Sequence, residues 1–410
     1  MTLIKPFRAL RPAPGRAAEV LAPPYDVLSS AEARERAAGK PWSFLHVSKA
    51  EIDLDPALDP YDGAVYGKAA ENLQRMIDAG VLIRDAKPCY YVYRLTWRGQ
   101  VETGFAAVAS IAAYATNRIR KHEHTTPAKE DDRVRQIEAI KAQTGPVMLA
   151  YPAAHEIDAM LKRAAAGAPV VDVTADDGVR HQLWIIGDEP TIAALTRAAE
   201  ALPAFYIADG HHRSAAAERV EKTRGGEGSH SYFLAVLFPQ AEMTILDYNR
   251  VLRDLNGRSA EELLAELRRR ATVAPSDQPV RPAAGNEIGM FLAGRWYRVT
   301  LPPERAGDSA QPADPVARLP VTLLTRAIIE PLFGITDQRR DKRIDFVGGG
   351  RGLGELERLV SSGTMAVAFA LYPTQMRDLM AVADAGAVMP PKSTWFEPKL
   401  ADGVVSHVLD

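Results

Sequence analysis

The run Phe205-Tyr206-Ile207-Ala208-Asp209-Gly210-His211-His212-Arg213-Ser214 constrains this chain more than any other stretch. Phe205 to Ile207 is aromatic and β-branched, the composition of a buried strand end. Asp209-Gly210 is a turn pair. From Ser214 the chain becomes alanine-rich with charges following, which predicts a helix. A dense polar group therefore sits where a strand hands over to a helix. Unpaired N–H groups and the helix dipole favour an anion there. Gly210 lets a ligand approach the backbone, and Arg213 carries a planar fork that fits phosphate or carboxylate. Asp209 has the chemistry to hold a metal ion or take a proton. His211 and His212 have that of phosphate binding, proton transfer or metal binding. The plain alternative is a capped helix with a surface histidine pair.

A second polar group spans Arg118 to Arg133 and contains His122-Glu123-His124-Thr125. In a strand, His122 and His124 share a face. Two histidines at that spacing suit zinc, but no third ligand stands beside them in sequence. Glu123 is the best general-base candidate in the chain. Lys129 and Arg133 stand one turn apart at the start of a helix marked by Ile137 and Ile140, so both can face one anion. Tyr25-Asp26 closes a proline-rich entry that contains Pro12, Pro14, Pro23 and Pro24. Near the other end, Pro390-Pro391 stiffens a loop that presents Lys392, Ser393 and Thr394, suited to a charged ligand. Gly225 to Ser229 lacks the Gly-Lys-Ser/Thr of a Walker loop, and the glycines at 348–352 lack the acidic residue of a dinucleotide fingerprint.

These stretches resemble one family. Asp209-Gly210-His211-His212-Arg213, with Lys5 to Pro12, Ala22 to Val27, His122 to Thr125 and Met389 to Lys399, is similar to the signature of domain of unknown function 1015. The Asp-Gly-x-x-Arg element also resembles the phosphate loop of the ParB and sulfiredoxin-like superfamily, which includes free-serine kinases. That resemblance implies a ParB/sulfiredoxin-like core around the loop, a nucleotide phosphate held there, and L-serine as an acceptor.

Length and composition set the frame. Four hundred and ten residues predict two domains. The boundary is expected at Gly257 to Ser259, with the proline-rich 275–285 loop as the alternative; the first gives 1–257 with both polar loops and 258–410 closing the cleft. The net charge of -2 argues against a nucleic-acid partner. Cys89, the single cysteine, stands between Pro88 and a tyrosine-rich strand, where a structural thiol is expected. No apolar run reaches membrane-span or signal-peptide length, which predicts a cytoplasmic protein without a membrane partner. Tyr61 to Ala79 carries apolar residues at helical spacing. Tyr90 to Ser110, Val170 to Ile186 and Ile288 to Leu301 read as hairpins, and Trp42 to Val47 as a short strand. Pro302 to Pro315 reads as a loop. Hairpins alternating with helices predict an α+β fold with mixed sheets.

The expected activity is phosphoryl transfer from ATP or ADP, with Mg2+, to the hydroxyl of a small molecule, serine first. Glu123, Asp209 and His212 are the expected catalytic residues, and Asp209 the metal ligand. Gly210, His211, Arg213, Ser214, His122, His124, Lys129 and Arg133 are expected on the nucleotide phosphates. Arg8, Tyr25, Asp26, Thr125, Lys392 and Ser393 are expected on the substrate. A nucleotide-binding regulator without turnover and a metal hydrolase built on His122, His124, His211 and His212 are the alternatives. A homodimer is compatible with the sequence.

Overall fold

The computed structural model describes residues 2–302 and 314–410. The loop expected at Pro302 to Pro315 lies, over 303–313, outside the described residues. Two compact units divide the chain: Met1–Met243 with Pro398–Asp410, and Thr244–Glu397. The fold is α+β with mixed sheets, as expected. The expected boundary after residue 257 falls inside the second unit. The sequence there reads as a linker because Asn256-Gly257 is a left-handed turn, with φ of 54° and 77°, but the turn joins elements of one sheet-and-helix body.

The first unit is built on a sheet with nine strands among the described residues. Its order runs Ile119–Arg120, Phe205–Asp209, Val147–Tyr151, Tyr232–Pro239, Gln100–Ser110, Tyr90–Trp97, Arg180–Ile186, Val171–Thr174, with Ile4–Lys5 paired to Gln100–Ser110. Phe205–Asp209 lies parallel to Ile119–Arg120 and antiparallel to Val147–Tyr151. Phe205 and Ile207 enter the main core with Leu149, Phe233 and Leu237, all at most 1% exposed. Tyr206 and Ala208 are buried on the other face, so the strand is apolar on both sides until Asp209. A smaller sheet pairs Leu82–Arg84, Ala9–Pro12, Ser406–Val408 and Ala142–Gln143 in that order.

The Gly63–Asp78 helix and the three predicted hairpins form where the periodicity places them. Trp42 to Val47 does not make a strand. Leu45–Ser48 is a short helix, held by the Phe44 N–H on the Val20 carbonyl at 2.8 Å. Phe44, Leu45 and Val47 are buried in a side core; an apolar run this short packs equally well in either conformation.

The second unit carries a sheet ordered Thr272–Ser276, Arg295–Thr300, Glu287–Leu292, Val367–Leu371, Tyr248–Leu252, Ile344–Gly348. Thr244–Leu246 pairs with Trp395–Glu397 beside it. No helix among the described residues is long and apolar enough to cross a membrane.

Candidate functional site

The polar centre lies wholly in the first unit. The Phe205–Asp209 strand ends at a register shift between Ile207 and Asp209 opposite Met148. Gly210 then adopts φ 102° and ψ 26° and opens the His211–Arg224 helix. A Cβ at Gly210 would stand 2.9 Å from the Arg213 guanidinium, so glycine is required on both conformation and space. The helix buries His211, Ser214, Ala216 and Val220. Ala216 and Val220 pack against Ile137 of the Pro127–Ile140 helix. Across the same pair of helices Arg219 meets Glu130 and Asp131, and Arg224 meets Glu138.

The two loops singled out in the sequence meet. The segment His122 to Thr126 is pinned at both ends by the histidine pair. The His122 N–H faces His211 Nε2 at 3.4 Å, and the Thr126 N–H donates to His212 Nε2 at 3.2 Å. The His122 and His211 rings meet edge to face at 4.4 Å. His211 Nδ1 lies 3.8 Å from Glu123 Oε2. Burial pushes the His122 imidazole down to about 4, against its hydrogen bond to the Ile207 backbone. Burial, then His122, hold His211 well below the usual histidine range. Burial and Lys129 bring His212 down to about 4. All three rings are therefore neutral at pH 7. His124 is exposed while His122 is 2% exposed. The strand ends at Arg120, so the expected shared face of the two is corrected.

Asp209 is not placed as a metal ligand. Its Oδ2 stands 3.4 Å from Lys399 Nζ and 3.5 Å from Arg213 Nη2. Despite burial, Lys399 and Arg213 hold its carboxyl well below the usual range. Two cations on one oxygen repel a third, so the residues present do not fit Mg2+ at Asp209. Arg213 is likewise committed: Nη1 lies 3.5 Å from Asp26, and Asp209, Asp26, Tyr25 and Asp402 together hold its charge on. Its first task is to neutralise these acids, which corrects the expected free phosphate fork. Ser214 is also corrected. Its Oγ is buried and donates to the His211 carbonyl at 3.0 Å.

Tyr25 lies under the Arg133 guanidinium at 3.8 Å, and Arg133 is bound through two nitrogens to Asp132, at 2.6 and 2.8 Å. Burial raises the Tyr25 hydroxyl to about 12. Lys129, Arg133, His212, Tyr25 and Asp26 line a groove of about 230 Å³. Behind it lies a cavity of about 30 Å³ that shares Tyr25 and Arg133 and reaches Arg213 and Asp402. Lys129 and Arg133 thus face one space, as their spacing suggests. Thr125 gives its hydroxyl to the Glu130 carboxylate. Arg8 binds the Asp85 carbonyl at 3.0 Å and bears on Asp410; no contact joins it to this centre among the described residues. Lys392 and Ser393 belong to the second unit, where Ser393 donates to the Pro390 carbonyl at 2.7 Å and Lys392 sits 5.7 Å over the Tyr248 ring.

Lys399 and Asp402 join the centre without having been candidates on sequence. Both come from the returning segment Pro398–Asp410. Asp402 is 2% exposed, and burial lifts its carboxyl to about 7 against the pull of Arg213. Gly145 leaves the room: a Cβ there would lie 3.1 Å from Arg213 Cδ and 3.6 Å from Asp402 Oδ1. The signal in the sequence is slight: Lys399 closes the Met389 to Lys399 stretch, and Asp402 follows three residues on.

Among solved structures, the chain is similar to a conserved hypothetical protein from Pyrococcus furiosus, at 12% identity and a TM-score of 0.35, over 72% of this chain and 93% of that one. It is similar to a free serine kinase in complex with ADP at 11% identity and a TM-score of 0.34, over 71% and 87%. It is also similar to a C-terminally truncated SbnI from Staphylococcus aureus at 12% identity and a TM-score of 0.37, over 73% and 86%. No curated protein matches the chain. The family model described as "Protein of unknown function (DUF1015)" matches residues 4–322, a span that takes in both polar loops, and the chain belongs to that family.

Proposed function

We propose that the protein is a nucleotide-dependent phosphotransferase acting on the hydroxyl of a small molecule, with free L-serine, giving O-phospho-L-serine, as the first acceptor. The observation that carries this reading is the meeting of the His122–Thr126 loop with the Asp209–Arg213 turn beside a groove lined by Lys129 and Arg133. Two helices begin there, at Pro127 and His211, and neither has a side-chain cap. Their amide dipoles add to the charge of Lys129, which suits the phosphates of ATP or ADP. Glu123 is the base in this reading. It takes the hydroxyl proton as the acceptor oxygen bonds to the terminal phosphorus and the bridging oxygen leaves with the nucleotide. Neutral His211 beside it keeps the carboxylate in place without adding a positive charge. The ion cluster of Asp209, Lys399, Arg213 and Asp26 holds the turn that positions His211 and His212.

The test is incubation of the full chain with ATP or ADP and a panel of hydroxy amino acids, read by phosphorus NMR. A new phosphomonoester resonance with serine supports the reading. Nucleotide binding without transfer or hydrolysis would replace it with a regulator.

A further inference from the structure

We propose that His122, Glu123 and His211 form a binding site for a divalent transition-metal ion of the zinc class. One ligand atom from each residue lies within 4.8 Å of the others. In a four-coordinate zinc site with bonds of about 2.0–2.2 Å the ligand atoms stand roughly 3.3 Å apart, so side-chain shifts of about an ångström close the set. His122 supplies the independent observation. Its Nδ1 is buried and has no hydrogen-bond partner, while the ring bonds to the Ile207 backbone through its other nitrogen. That is how a metal-binding imidazole is held: one N–H fixed on a carbonyl, the opposite lone pair aimed at the ion. An unpartnered nitrogen at 2% exposure is otherwise a standing cost.

His211 completes the pair. Its Nδ1 faces Glu123 at 3.8 Å. Coordination through Nδ1 leaves the ring proton on Nε2 and releases the long contact with the His122 N–H. In the unliganded ring the Nε2 contact leaves the proton on Nδ1, so binding there shifts it to Nε2. Two imidazoles and one carboxylate suit zinc, cobalt or nickel, whereas magnesium prefers an all-oxygen shell. Glu123 stands at the open side, with its side chain 43% exposed, which leaves a coordination position toward solvent.

The proposal is separate from phosphotransfer, and the two can fail independently. A carboxylate bound to an ion cannot also act as a base, so zinc loading and the proposed role of Glu123 exclude each other. Where both hold, zinc stops turnover and a chelator restores it. Turnover indifferent to a bound zinc would count against the base, not against the site.

The experiment uses the full chain, stripped with chelator and titrated with zinc chloride by calorimetry and with cobalt(II) by visible absorbance. One equivalent is expected to bind, with a cobalt spectrum typical of a low-symmetry nitrogen and oxygen site. His122→Ala and His211→Ala should each weaken zinc by more than the roughly 10–100-fold that loss of a supporting partner causes. Glu123→Gln, at an exposed position that tolerates an isostere, keeps the test open if a histidine variant fails to fold. No stoichiometric binding by the parent chain, or equal binding by Glu123→Gln and the folded histidine variants, overturns the site.

Discussion

Asp402→Asn is expected to gain stability relative to the parent chain as the pH rises. Burial lifts the Asp402 carboxyl from 3.8 to about 7; Arg213 pulls it down, Asp26 pushes it up, and Arg133 again pulls it down. A carboxyl with a raised folded pKa holds its proton more tightly in the folded chain than in the unfolded one. Its contribution is whole below about pH 4 and is lost as the pH climbs through about 7. The gap of about 3 pH units is worth about 4 kcal/mol in all, of which about 2.5 kcal/mol is lost between pH 5 and pH 8. Asparagine has no proton to lose, so the variant escapes that slope. The unfolding free energy of the variant minus that of the parent should therefore climb by about 2.5 kcal/mol over this range. Urea unfolding of both proteins at pH 5, 6, 7 and 8, at one ionic strength, measures it. Any constant effect of the amide on Arg213 or Ser48 cancels, because only the change with pH is read. A difference that stays flat refutes the reasoning: Asp402 would then be ionised throughout, with its guanidinium neighbours outweighing burial.

Three further outcomes are expected. Glu123→Gln should keep nucleotide binding by calorimetry and lose about 10²–10⁴-fold in turnover; full turnover would remove Glu123 as the base. Arg213→Ala should destabilise the chain by about 3–5 kcal/mol in urea unfolding, because Asp209, Asp26 and Asp402 lose a shared cation, and an unchanged midpoint would show that Lys399 suffices alone. Gly210→Ala should cost about 1–2 kcal/mol from its positive φ alone, with a further loss of nucleotide affinity as Arg213 is pushed aside, and parent-like behaviour in both assays would contradict the tight approach.

The strand and helix around Gly210 are legible in sequence because each signal is local: an apolar pair of strand faces, a turn glycine, an alanine run. Hairpins such as Tyr90–Ser110 announce themselves for the same reason. The polar loops could be named but not oriented. His122 and His124 look equivalent by alternation, yet the strand is only two residues long and ends before them. Ser214 looks like a phosphate ligand until packing turns its hydroxyl onto its own helix. Lys399 was invisible as a partner of Asp209 because 190 residues separate them. Nothing local marks a contact made after the chain has left one body and come back. The division near residue 257 failed for a related reason: a glycine turn marks a bend, not the place where one packed core gives way to another.

That return path has a consequence for how the chain is made. Thr244 pairs with Glu397 and Leu246 with Trp395, so the second unit is an insertion whose two ends lie side by side. During synthesis at about 5–20 residues per second, Lys399 and Asp402 follow Met243 by roughly ten to thirty seconds. Over that interval Asp209 lacks its lysine. The Ser406–Val408 strand is also missing from between Ala9–Pro12 and Ala142–Gln143, which leaves two edges without partners. The nascent first unit thus carries an open seam, a target for chaperones and for edge pairing between neighbouring chains on one message. The polar centre comes into being only after the second unit has already been synthesised.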